Sequence, residues 1–137
     1  MIRLGVTGTR DGMTAHQWQQ VISILSSPEG ERELHHGDCV GVDAEIAIVA
    51  RDLGWHIVCH PPIDEKLRAF TPYDEIRVPK THFARNRDIV DSTAGLLVVP
   101  KQMEHQTFGG TWYTHDYAKK NNKPIIMAWP EEKNEDV

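Results

Sequence analysis

A chain of 137 residues has the length of a single domain and is long enough to bury a core. It is 39% hydrophobic and 26% charged, as globular proteins are, and no stretch approaches the roughly 20 apolar residues of a membrane span. The formal charge of −5 argues against a dedicated nucleic-acid binder, which needs clustered Lys and Arg, and two cysteines are too few for a disulfide framework. With an N-terminus, "MIRLGVTGTR", that lacks a secretory apolar core, these bounds predict a cytoplasmic protein with no membrane partner.

In chain order, "IRLGVT" (2–7) reads as a buried strand ending at Gly8. Thr14 is a suitable N-cap for a helix that places Trp18, Val21, Ile22 and Leu25 at helical spacing, stopped by Pro28-Glu29-Gly30. "ERELHH" (31–36) is a weak strand. "VDAEIAIVARDLG" (42–54) is the clearest helix, with Ile46, Val49, Ala50 and Leu53 on one face and Gly54 as its stop. "WHIVCH" (55–60) is a strand. Residues 61–80, with four prolines, read as a long loop holding one short strand around "EIRV". There follow a helix over 82–92, a strand over 94–99, a loop over 100–110, a helix over 111–121 and a last strand, "KPIIMAWP". Residues 1–130 thus make one domain, and 131–137, "EEKNEDV", an acidic flexible tail.

Strands that alternate with helices and are apolar on both faces predict an α/β fold: a mostly parallel sheet with helices on both faces, in a Rossmann-like three-layer arrangement. Ligands of such sheets lie outside the carboxyl ends of the strands. Three loops fall there: "TGTRDG" (7–12), "HGDCVGVD" (36–43) and "TFGGTWYT" (107–114). Glycines let backbone N–H groups approach an oxyanion, and a following helix start favours negative charge. Each loop also has a plain explanation, since a glycine can simply turn the chain and Asp43 suits a first helical turn. Their convergence on one edge, joined by Arg85-Asn86-Arg87 at the start of a helix, points to a phosphate-bearing ligand.

Taken together, "GVTGTR", "HHGDCVGVDAEIAIVA", "HFARNRDIVDSTAGLLVVP" and "GGTWYTHDYAKKNNKPIIMAWP" resemble the SLOG superfamily, in that group's order over residues 2 to 130. The superfamily unites the DNA-processing protein DprA, the LOG-type phosphoribohydrolases and smaller YspA/YpsA-like proteins. The resemblance implies a site for nucleotides or nucleotide-derived molecules. It assigns Gly8, Thr9 and Arg10 to the first loop beside the ligand. Gly37, Gly41 and Asp43 fall to the second loop, Arg85, Asn86 and Arg87 to the arginine motif, and Gly109, Gly110 and Thr111 to the phosphate loop; Asp38, within the second loop, is expected at the ligand as well. Arg85 takes the position of the LOG catalytic arginine. The chain departs from the LOG pattern Pro-Gly-Gly-x-Gly-Thr-x-x-Glu: "KQMEHQTF" separates Pro100 from Gly109, and no glutamate follows in register.

No cofactor is implied. The eight histidines lack a compact metal-binding spacing, and His56 and His60 stand about 13 Å apart along a strand, so solvated or core-edge histidines are expected. Cys39 reads as a small loop residue, since a nucleophile would need a lowered pKa. Tyr113 and Tyr117 share a helix face suited to packing or a subunit contact, and Trp112 could stack on a base. Arg85 and Arg87 lie about 200° apart around a helix. Arg85 is therefore expected to face the glycine loops, Arg87 to pair with an acidic group, and Asn86 to sit at the cleft rim. The expected protein binds a nucleotide-type small molecule as a homo-oligomer, a dimer or larger. The alternatives are an N-glycosidase in which Asp38, Asp43 or Asp116 replaces the glutamate, and a DprA-like single-stranded DNA module.

Overall fold

The computed structural model describes residues 1–133, so most of the expected acidic tail lies outside the described residues. Six strands form one all-parallel sheet: β1 (Ile2–Gly8), β2 (Arg32–His36), β3 (His56–Cys59), β4 (Glu75–Ile76), β5 (Gly95–Val99) and β6 (Ile125–Met127), ordered β4-β3-β2-β1-β5-β6. Four helices connect them: α1 (Ala15–Ser26), α2 (Val42–Asp52), α3 (His82–Asp91) and α4 (Gly110–Lys120). The order reverses at β1, which carries β2 on one side and β5 on the other. That reversal opens a crevice beyond the carboxyl ends of β1 and β5.

The sheet separates two apolar layers. Val21 and Leu25 of α1 and Ile46, Ala47 and Ala50 of α2 pack on one face with Val6, Leu34, Ile57, Leu97 and Val99. Ile89 and Val90 of α3 and Ala118 of α4 pack on the other with Leu96 and Val98. Strand β5 alternates between the layers, which is why "LLVV" is apolar throughout. Among the described residues no helix is long and apolar enough to cross a membrane.

Two details differ from the helical pattern. The buried face of α1 is Gln17, Val21 and Leu25, while Ile22 is exposed. Gln17 sets this rotation. Its side chain closes a capping box with Thr14, and its Nε2 donates to the carbonyls of Pro100 (2.7 Å) and Ala128 (2.9 Å). A polar residue that satisfies strand-end carbonyls outcompetes an isoleucine for the interior. The last strand is also shorter than expected: Asn121 and Asn122 form the turn before it, and Lys123, Pro124 and the residues after Met127 lie outside it.

Candidate functional site

The loop after β1 is held between two elements. The Thr9 amide donates to Val99 O of β5 (3.1 Å), and the Val42 amide at the start of α2 donates to Thr9 O (3.0 Å). Gly41 makes this approach possible: its φ is +92°, and a Cβ there would lie 2.4 Å from Arg10 O. The crevice so formed is a cleft of about 510 Å³ lined by Gly8, Thr9, Arg10, Asp43, Arg85, Asn86, Gly109, Gly110 and Thr111. Nine of the twelve residues expected at a site therefore border one cavity. Gly37, Asp38 and Gly41 stand behind it.

Asp38 is corrected from ligand contact to internal anchor. It is fully buried, with φ +57°, and accepts from Arg68 Nε (2.9 Å), the Phe70 and Thr71 amides and Thr71 Oγ1 (2.9 Å). These bonds fasten the second loop to the irregular segment that precedes β4.

Arg85 faces the glycine loops, yet it is not a free anion receptor. It is 4% exposed, and each of its N–H groups has a partner within the protein. Nε donates to Asn86 Oδ1 (2.6 Å), Nη1 to the carbonyls of Gly37 and His60, and Nη2 to His82 Nδ1 (3.1 Å) and, at longer range, Cys39 Sγ (3.6 Å). The guanidinium clamps α3 to the ends of β2 and β3 and lends the cleft its charge. Arg87 points away, but its partner is a phenol rather than an acid: Nη1 donates to Tyr113 Oη at 2.7 Å. Asn86 lies at the cleft, with its Oδ1 already engaged by Arg85.

Asp43 is the buried acid of the site, and Asp11 lines the cleft at its exposed rim. Its Oδ2 accepts from the amides of Gly37 and Cys39, both at 3.2 Å. Burial pushes its carboxyl up to about 6, although Arg85 and the two amides pull the other way. Burial, reinforced by Asp43, also pushes the Cys39 thiol up, so Cys39 is not an activated nucleophile. Burial and the neighbouring Arg85 and Arg10 lower His82, which stays a neutral acceptor for Arg85.

The opposite wall is less saturated. Helix α4 begins at Gly109 (φ +95°, ψ 150°) with no side-chain cap, which leaves its first amides open to the cleft. Arg10 is exposed, and among the described residues its guanidinium has no hydrogen-bond partner. Lys101 pairs with Asp11 at 2.7 Å on the surface. Phe83, Phe108 and Trp112 add aromatic surface, and Trp112 Nε1 donates to Gln102 Oε1 (3.0 Å). The sequence reading missed His82, Phe83, Lys101, Gln102 and Phe108. His82 carried a signal, standing one helical turn before Arg85; the others sit in loops or on a helix face without a motif.

The expectation of solvated or core-edge histidines is corrected for three of them. His35, His36 and His60 are buried, and His35 Nδ1 meets His60 Nε2 at 2.8 Å while its Nε2 meets Glu33 Oε1 at 2.8 Å. Asp116 lies outside the cleft lining, hydrogen-bonded to His105 and His115.

No protein-family model and no curated protein sequence matches the chain. Solved structures do. The molybdenum cofactor binding protein of the phototrophic bacterium Rippkaea orientalis superposes with a TM-score of 0.71 at 22% identity, over 92% of this chain and 75% of that one. DNA processing protein A from Helicobacter pylori, described in a single-stranded DNA binding mode, gives 0.68 at 17% identity, over 97% and 67%. The Moco carrier protein of Chlamydomonas reinhardtii gives 0.64 at 22% identity, over 92% and 75%. At these identities the likeness shows the fold alone: an α/β, Rossmann-like architecture.

Proposed function

We propose that the chain binds a nucleotide or nucleotide-derived small molecule in the cleft beyond β1 and β5. The observation that carries this reading is the grouping of one uncapped helix start, two surface cations and three aromatic rings around a single crevice. Phosphate oxygens would accept from the amides at Gly110 and Thr111, with Arg10 supplying charge and Lys101 adding to it by leaving Asp11. A planar base would lie against Phe83, Phe108 or Trp112. Arg85 would act through its field, because its donors are committed to the scaffold. The likeness to a molybdenum cofactor binding protein and a Moco carrier protein supports a small-molecule ligand, and the charge of −5 disfavours extended DNA. Calorimetry against nucleoside mono-, di- and triphosphates, cyclic nucleotides and ADP-ribose derivatives tests the reading. Stoichiometric binding by at least one class supports it, and uniform failure, or tighter binding to single-stranded DNA, refutes it.

A second reading rests on Asp43. Of the three acids that could replace a missing catalytic glutamate, only Asp43 lines the cleft, and its carboxyl near 6 suits proton transfer close to neutral pH. An N-glycosidase would release free base, read by chromatography from the same samples. Asp43→Asn should then abolish release. Absence of released base with the wild type leaves binding as the function.

A further inference from the structure

Beside the cleft, three side chains converge without serving the scaffold or the proposed ligand. His115 and Asp116 are adjacent on α4, and His105 reaches them from the loop between β5 and α4. His105 Nε2 lies 2.7 Å and His115 Nδ1 2.8 Å from the same atom, Asp116 Oδ1. We propose that His105, His115 and Asp116 form a binding site for a zinc-class divalent transition-metal cation.

The convergence that now makes a hydrogen-bonded cluster also suits a cation. Two imidazoles donating to a carboxylate have two oxygens to share, yet both nitrogens meet at one. The donor atoms all lie within 4.8 Å of one another, and these residues are the one such group among the described residues. Tetrahedral zinc with bonds of about 2.0–2.1 Å places its ligands about 3.3 Å apart, so the two short contacts need to open by only about half an ångström. Two imidazoles and one carboxylate select zinc, cobalt or nickel over magnesium or calcium, which prefer oxygen. Three protein ligands leave a fourth position for water or a ligand atom.

The supports are in place as well. Trp112 packs edge-on against both rings, at centroid distances of 5.0 Å from His105 and 5.2 Å from His115. Its own indole is tied to Gln102 of the same loop. A bound cation would join the 100–109 loop to α4 and steady Gly109, independently of which molecule occupies the cleft.

The test is calorimetric titration of ZnCl2 into the tag-free, chelator-stripped full chain, with CoCl2 absorption spectra as a second readout. The wild type should take up one equivalent and give the intense visible bands of four-coordinate cobalt. His105→Ala and Asp116→Asn should weaken zinc binding by about a hundredfold or more, while His16→Ala, a histidine elsewhere on the surface, should change nothing. His105→Gln keeps a hydrogen bond to Asp116 and should still lose the cobalt bands. Thermal melts of the metal-free variants should overlay the wild type, since His105 and Asp116 are about half exposed at their side chains. Failure of the wild type to bind one equivalent overturns the proposal. So does wild-type affinity in the folded His105→Gln and Asp116→Asn variants.

Discussion

The two walls of the cleft are built on opposite terms. On the wall made by residues 36–43, 60–71 and α3, polar groups find one another inside the protein. Asp38 and Arg68 pair out of solvent, Asp43 takes two loop amides, and Arg85 spends every donor on the chain around it. On the wall made by residues 100–111, groups are left open: the α4 start is uncapped, Arg10 extends from the β1 loop facing it, and Phe108 is 71% exposed. The first wall sets shape and potential. The second has contacts to spare. A charged residue near a ligand site can thus belong to either wall, and the number of its uncommitted hydrogen-bonding atoms tells which.

The largest break in this comparison should come from Asp38→Ala, which strands the half-buried Arg68 and the Thr71 hydroxyl. A loss of about 3–5 kcal/mol in urea unfolding is expected. Arg85→Ala should cost about 3 kcal/mol by the same measurement, because the carbonyls of Gly37 and His60 lose a charged donor. A stability change near zero, with binding lost, would move Arg85 to the open wall.

Arg10→Ala should do the reverse. It should weaken the best-bound nucleotide by about 1.5–3 kcal/mol in calorimetry, as for a charge-assisted hydrogen bond, and leave the urea midpoint in place.

Acid should erode the closed wall gradually. Burial, with His35 and Arg77 adding to it, pushes His60 down to about 3, and burial lowers His36 as well, against an ordinary histidine value of 6.5. Below pH 6.5 the unfolded chain binds protons that the folded chain refuses, so stability falls with pH. Asp43 opposes this: its carboxyl is raised from 3.8 to about 6, so the folded chain binds the extra proton between those values. Two histidines with long downward shifts outweigh one carboxyl, and the urea midpoint should drop from pH 7 to pH 5. The smallest effect belongs to Arg87→Lys, which exchanges one exposed contact with Tyr113 and should leave both midpoint and nucleotide affinity unchanged.

Much of this was legible in the sequence, and for physical reasons. Hydrophobic period and turn residues mark most strands and helices, since burial on one or two faces of a regular element repeats at fixed spacing. The alternation of strands with helices predicts a parallel sheet, and the sheet's geometry places loops 8–10, 37–43 and 109–111 at one edge. Tertiary structure decided what spacing cannot carry. Whether Asp38 and Arg85 face a ligand or a neighbour depended on the irregular segment 60–71, whose amides and carbonyls come from far along the chain. Gln17 claimed the core for the same reason, by reaching Pro100 and Ala128. Likewise, His105 meets His115 and Asp116 only because a loop without periodicity folds back onto α4. Local sequence governs backbone conformation and burial period; the partners of a polar side chain are set by contacts between distant segments.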